Sequence, residues 1–356
     1  MHRIASVFWN RDEHRFRSLW RLIGQLIILV VIALPLQMGV GGMAVAVLAF
    51  RANITPDQLA DPQVTQRVLA PQALQALLFG SPVLVVLSAL GALVAVLLSV
   101  WLAGRLLDRR RLADFGLHFG RNWWIDFGFG LLLGALLMLA VFLVELAAGW
   151  VTVKGALVTD NPNAPFAAAI LPPLLLFLAV GFYEELFSRG YQLRNMAEGL
   201  NWRVIGPRGA IVIALLLSSA VFGLLHVFNP NASFISTFNI FVAGGILLAM
   251  GYLLTGELAI PIGVHITWNF FQGNVFGFPV SGGDYRWATF ISIEQGGPDL
   301  WTGGAFGPEA GLIGVTAILV GGLLIALWVR WRYGRARLHT AIARAPERLE
   351  ESGGTA

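Results

Sequence analysis

Three groups of polar side chains lie inside stretches of the chain that are otherwise apolar enough to cross a bilayer. The groups are Glu184 and Glu185 with Arg189, Phe222 with His226, and His265 with Asn269. Polar and ionisable groups at such depth are costly unless they pair with one another or take part in chemistry. Their presence at three separate positions therefore predicts a buried reactive centre.

The diglutamate lies about halfway along a predicted helix. Pro172 and Pro173 suit its first turn, because the missing N–H of proline is not needed there. Glu185 and Arg189 are four residues apart and share a face, which predicts a buried ion pair. Glu184 points about 100° away and lacks that partner. A desolvated carboxylate can act as a general acid or base, although a purely structural network of these three charges is an equal alternative from the spacing alone.

The other two groups repeat the spacing of one helical turn. A neutral imidazole at His226, beside the Phe222 ring, can accept a proton from water while its second nitrogen is held by a neighbour. His265 and Asn269 direct an imidazole and an amide into the same volume, where both can stabilise the negative charge of a carbonyl oxygen under attack. The alternatives are a packed, hydrogen-bonded His226 and ordinary hydrogen bonding between helices for the second pair.

The elements that must position these residues are transmembrane helices. The chain has 356 residues, of which 57% are hydrophobic and only 12% charged, with a mean hydropathy of +0.73. Soluble domains carry about 25% charged residues. Runs that reach or approach the roughly 20 residues needed to cross a bilayer number about eight. They are 22–50, 74–104, 127–151, 166–194, 210–228, 234–254, 258–278 and 311–329. The predicted fold is therefore an all-α polytopic membrane protein.

The distribution of charge predicts the orientation of this bundle. With the N-terminus inside, 20 of the 24 Lys and Arg residues fall in inner segments, and an even number of spans returns the C-terminus to the same side. Both termini are therefore predicted to be cytoplasmic, with tails at 1–21 and 330–356 flanking one membrane domain that covers 1–356. Segment 279–310 is rich in glycine and is interpreted as an outer loop.

Composition also excludes several classes of function. The basic residues lie between spans rather than on one contiguous face, so they set topology and argue against nucleic-acid binding. The chain has no cysteine, which excludes disulfides, thiolate metal ligands and thiol nucleophiles.

Taken together, the three motifs resemble those of the CPBP family of intramembrane proteases, which includes the prenyl CAAX endopeptidases and bacteriocin-processing or immunity proteins. The family pattern is EExxxR, then FxxxH, then HxxxN, on successive core helices. This chain matches it without substitution, over a core of about 166–278. The positions are Glu184, Glu185, Arg189, Phe222, His226, His265 and Asn269.

The resemblance implies a role for each residue. Glu184 would activate the hydrolytic water together with His226, while Glu185 and Arg189, supported by Phe222, would hold the site. His265 and Asn269 would stabilise the oxyanion. The cofactor is left open: Glu184, His226 and His265 are a donor set suited to Zn²⁺. The absence of an HExxH pair and the ability of a Glu–His pair to activate water favour a mechanism without metal.

The expected partners are the lipid bilayer and a peptide or protein substrate, prenylated or otherwise embedded in the membrane. The alternative function is a non-catalytic scaffold or small-solute transporter with a buried polar network, although no twofold repetition typical of transporters is present. A composition rich in Ala, Gly and Arg, with Lys154 as the only lysine, suggests a bacterial cell membrane.

Overall fold

The computed structural model describes residues 7–10, 13–55, 57–58, 61–64 and 70–346. Within these residues the chain has seven helices long and apolar enough to cross a membrane. They are Ser18–Arg51, Pro82–Asp108, Arg121–Ala147, Phe166–Leu200, Gly206–Phe228, Phe234–Thr255 and Leu312–Tyr333. The predicted all-α polytopic membrane fold is confirmed.

The eighth predicted span, 258–278, forms a shorter rod. It consists of a 12-residue α-helix at Ala259–Phe270 and a five-residue π-helical segment at Phe271–Val275. Nearly all of its side chains are buried against other helices. A rod enclosed by the bundle does not face the lipid and therefore need not match the full thickness of the bilayer.

We number the α-helices in chain order. They are α1 (Ser18–Arg51), α2 (Pro71–Gly80), α3 (Pro82–Ala103), α4 (Arg121–Ala147), α5 (Phe166–Ala169), α6 (Leu171–Glu185), α7 (Arg194–Leu200), α8 (Gly206–Leu225), α9 (Phe234–Asn239), α10 (Met250–Thr255), α11 (Ala259–Phe270), α12 (Asp299–Thr302) and α13 (Leu312–Tyr333). Four further segments are π-helical: Gly104–Asp108, Leu186–Leu193, Ile240–Leu247 and Phe271–Val275.

Three of the four π-helical segments adjoin the predicted site. Leu186–Leu193 follows the diglutamate directly and contains Arg189, and Phe271–Val275 follows Asn269. Ile240–Leu247 lies opposite them and packs against α8. Widened π turns change the angular spacing of side chains and leave backbone groups outside the regular α pattern, which is why they recur at functional sites.

The interpretation of 279–310 as a loop is wrong in part. Strand β4 (Ala288–Gln295) pairs antiparallel with β3 (Val151–Thr159), from Val151 opposite Gln295 to Thr159 opposite Ala288. Both segments contain several β-branched residues, which favour strands, but the glycine content around β4 obscured that signal. A second small sheet joins β1 (Trp9–Asn10) to β2 (Arg15–Phe16).

Glycines bring α4 and α11 into backbone contact. Gly130 and Gly134, spaced as in a GxxxG motif, face α11. A Cβ on Gly134 would lie 2.4 Å from Thr267 Oγ1 and 2.5 Å from the Val264 carbonyl oxygen. Since α11 carries His265, this close approach fixes the position of one candidate site residue.

Replacing Gly134 with valine is expected to destabilise the protein by about 1–3 kcal/mol, because the backbone of α11 blocks the added side chain. The matched control is Gly128→Val on the same helix, where a Cβ would have no neighbour within 4 Å. Thermal unfolding in detergent measures both variants. Equal melting temperatures for the two would contradict this account of the α4–α11 contact.

Candidate active site

The centre of the site is a buried network of one imidazole, one carboxylate and one guanidinium. His265 Nδ1 lies 2.8 Å from Glu185 Oε1, and Arg189 Nη1 donates to the same oxygen at 2.9 Å. Glu185 is fully buried and Arg189 nearly so. The ion pair predicted from the four-residue spacing is therefore present, and it links the helix of the diglutamate to α11.

Arg189 also contacts two other parts of the bundle. Its Nη2 donates to the carbonyl oxygens of Gly244 and, at 3.3 Å, Gly245, both in the π-helical segment Ile240–Leu247. Its Cζ lies 4.4 Å from the centre of the Phe222 ring, within the range of a cation–π contact. One buried guanidinium therefore connects three helices around the site.

Glu184 lies on the other side of His265. Its Oε2 is 3.8 Å from His265 Nε2, and its side chain keeps 22% exposure, whereas that of Glu185 has none. The two adjacent glutamates thus face the two nitrogens of one ring. Glu185 is enclosed in the network with Arg189, and Glu184 is the more exposed of the two glutamates.

His226 follows directly after α8 and is held by the turn before it. Its Nδ1 lies 2.7 Å from the carbonyl oxygen of Phe222, and the two rings are 4.8 Å apart. Because a carbonyl oxygen only accepts, Nδ1 is the donor in this contact, and in the neutral ring Nε2 then keeps its lone pair. The ring is therefore oriented as a proton acceptor.

A cavity of about 40 Å³ lies between these helices. Its lining includes His226, His265 and Asn269 from the predicted set, together with Phe222. A site needs about 10–15 Å³ and several polar partners to hold a water molecule, so water fits here. Glu184 is not among the lining residues; its carboxylate lies beside His265 instead.

Glu309 is a lining residue that sequence reasoning missed. It lies on a short 3₁₀ turn, Pro308–Ala310, and is buried at 4% exposure. Ser281 donates to Glu309 Oε1 through its backbone N–H and, at 2.6 Å, through its hydroxyl. Trp268 Nε1 donates to Oε2 at 3.3 Å. Glu309 is therefore the one carboxylate among the described residues that line this cavity.

The environment of Glu309 has two opposing effects on its protonation. Burial raises the pKa of Glu309 above its usual range, while the hydrogen bonds from Ser281 and Trp268 act in the opposite direction. His226 lies within electrostatic range of this carboxylate. The sequence offered one signal for Glu309, its position immediately before the apolar run 311–329.

The donor set does not fit a metal ion in this arrangement. Among the residues that the structure describes, no group of three or more His, Cys, Asp or Glu side chains is placed to hold one. Both nitrogens of His265 face carboxylates, and Nδ1 of His226 is occupied by a backbone carbonyl. Zinc would require several of these atoms at about 2.0–2.2 Å from a common point.

Comparison with known proteins supports the resemblance seen in the motifs. Residues 166–271, less than a third of the chain, match the family model described as type II CAAX prenyl endopeptidase Rce1-like. No curated protein and no solved structure matches the chain. The matched range contains the diglutamate, Arg189, Phe222, His226, His265 and Asn269, and it ends before Ser281 and Glu309. Residues 166–271 of this integral membrane protein are therefore similar to the Rce1-like type II CAAX prenyl endopeptidases.

Proposed function

We propose that this protein is an endopeptidase that hydrolyses a peptide bond at or near the membrane, using water activated by Glu184 and His226. One observation carries the proposal: His226 from the end of α8 and His265 and Asn269 from α11 line a single cavity large enough for water. Base and oxyanion donors that meet in one enclosed, wet volume are the requirement for water-mediated acyl chemistry.

The contacts are consistent with a division of roles. In the neutral ring, Nε2 of His226 has a free lone pair and can take a proton from water, and Glu184 is the more exposed carboxylate of the pair. The amide of Asn269 donates to a developing oxyanion, as does His265 when its Nε2 carries a proton. Glu185 and Arg189 hold the His265 ring in place. No step in this scheme requires a metal.

The proposed substrate is a peptide or protein segment next to the bilayer. C-terminal processing of the CAAX type is included, because the matched family model describes prenyl endopeptidases of that type. We place the protein in the bacterial cytoplasmic membrane on the basis of its amino-acid composition.

A cleavage assay with Glu184→Ala tests the proposal. The purified protein in proteoliposomes is incubated with a panel of quenched fluorescent peptides, both prenylated and unprenylated at the C-terminus. Loss of a general base lowers the rate by about 10²–10⁴-fold, so cleavage by the Glu184→Ala variant is expected to be close to background. The control is Glu294→Ala, which removes an exposed carboxylate of the outer sheet and should leave cleavage unchanged.

Two results would contradict the proposal. Peptide cleavage that survives Glu184→Ala in a normally folded variant would remove Glu184 from the mechanism. A defect confined to solute uptake would instead support the transporter alternative. Gel filtration and thermal unfolding of both variants separate these outcomes from a loss of folding.

A further inference from the structure

The two ends of the helical bundle differ in what covers them. At one end lie the connections rich in arginine. At the other lie β3 and segment 279–310, which contains β4; we call this the strand-bearing end. The cavity is bounded by residues of the second end, namely Ser281 and Glu309. This difference bears on the side from which a substrate reaches the proposed active site.

The arginine-rich end holds a buried network of ion pairs. Glu198, at the end of α7, accepts from Arg15 at 2.8 Å, from Arg21 at 3.0 Å and from Arg110 at 2.6 Å. Arg21 also pairs with the buried Asp108 at 2.8 Å. These residues come from the N-terminal segment, α1, the π-helical segment Gly104–Asp108, the connection after it, and α7, so the network ties this end of the bundle together. A peptide entering here would have to separate buried charges from their partners.

Both segments predicted as cytoplasmic tails pack onto the same end. Arg15 is buried in the network, and the 3₁₀ turn Thr340–Ala343 lies against α7 and α8. Asn201 donates to the carbonyl oxygen of Ala343 at 2.8 Å, and Arg110 donates to that of Arg344 at 2.7 Å. The tails therefore add a further layer over the end opposite the cavity.

The cavity lies toward the other end. Helix α8 begins at Gly206, next to the arginine-rich connection, and its 20 residues rise about 30 Å before His226. Segment 279–310 then covers the loop that follows His226: Asn229 donates to the carbonyl oxygen of Ser281 at 2.9 Å, and Asn231 to that of Gly282 at 3.2 Å. His226 is therefore separated from the arginine network by the length of a helix.

The uneven distribution of Lys and Arg between the two ends of the bundle predicts how the bundle is oriented across the membrane. Lys154 and Arg286, on the strand-bearing end, are each paired with an acid, Glu294 and Asp284 respectively. The positive-inside rule places the end with most arginines in the cytoplasm. The end that carries β3, β4, Ser281 and Glu309 then faces the opposite compartment.

We propose that the cavity is reached from the extracytoplasmic face, and that the substrate is a peptide segment presented on that side. This inference rests on the proposed protease function and narrows its substrate class. A C-terminus in the cytoplasm, prenylated or not, would meet the arginine network and the packed tails instead of the cavity.

Single cysteines test the direction of access, because the chain has no cysteine of its own. Ser281→Cys and Asn269→Cys report on the cavity. Asn163→Cys, next to β3, marks the strand-bearing end, and Val204→Cys, at 97% exposure before α8, marks the arginine-rich end. Intact spheroplasts and inverted vesicles are treated with a small, charged methanethiosulfonate reagent that does not cross membranes.

The expected result is that Ser281→Cys, Asn269→Cys and Asn163→Cys react in spheroplasts, while Val204→Cys reacts only in inverted vesicles. The proposal is overturned if the two cavity cysteines react from the same side as Val204→Cys, or from neither side. Two cavity positions are used because either variant alone can fail to fold, which gel filtration detects.

The labelling does not depend on activity, so it separates this inference from the proposed function. Cleavage that depends on Glu184 together with cavity labelling from the cytoplasmic side would leave the protease standing and reject the direction of access. Labelling from the outer side without any Glu184-dependent cleavage would support the direction of access and reject the protease function.

Discussion

Replacing Arg189 with methionine is expected to lower the free energy of unfolding by about 3–5 kcal/mol, the usual effect of removing one member of a buried ion pair. Glu185 would keep its contact with His265 but lose the guanidinium at 2.9 Å that balances its charge. The carbonyl oxygens of Gly244 and Gly245 would also lose their side-chain donor. Chemical unfolding in detergent measures the difference between the variant and the unsubstituted protein.

The matched control is Arg286→Met. Arg286 also pairs with an acid, Asp284, but both side chains are substantially exposed, and such pairs contribute about 0–1 kcal/mol. The double variant Glu185→Gln/Arg189→Met should recover part of the lost stability, because no unbalanced charge is left buried. If Arg189→Met and Arg286→Met unfold alike, the buried network does not stabilise the bundle.

Substituting Glu184 and His226 together is expected to reduce peptide hydrolysis about as much as substituting either one alone. If both residues act on one water molecule, then Glu184→Gln and His226→Gln should each lower kcat by about 10²–10⁴-fold. The double variant should add little to this loss, since effects of residues that act as a unit are strongly non-additive. Single-turnover kinetics on all three variants measures the coupling energy between Glu184 and His226.

His118→Gln supplies the comparison for this cycle. His118 is exposed and pairs with Glu257 at 2.7 Å. It is not among the residues that line the cavity. Combined with Glu184→Gln, it should leave the rate of the single variant unchanged. Losses that simply multiply in the Glu184→Gln/His226→Gln variant would show that the two side chains act in separate steps, with Glu184 serving His265 instead.

Much of the fold follows from local patterns. The long apolar runs predict the transmembrane helices, because each must cover the thickness of a bilayer by itself. The four-residue spacing of Glu185 and Arg189 predicts their ion pair, and that of Phe222 and His226 predicts their contact, since one helical turn brings such side chains together. These features depend on neighbouring residues and on the membrane as a solvent.

The pairing of β3 with β4 was not predictable in the same way. The two strands are separated by more than 120 residues, and their register depends on how the intervening helices bring them together. The same holds for Glu309, whose place at the cavity follows from its contacts with Ser281 and Trp268, which form only when segment 279–310 folds against the helices. No spacing along the chain encodes such contacts.

The sequence by itself determined that this is a helical membrane protein, which polar residues it places in apolar spans, and which family they resemble. Only the tertiary structure decided that His265 lies between Glu184 and Glu185, that His226 and Asn269 share a cavity, and that Glu309 lines the same cavity from segment 279–310. The physical reason is that helix periodicity and hydropathy act over a few residues, whereas a site on several helices depends on how their surfaces pack against one another.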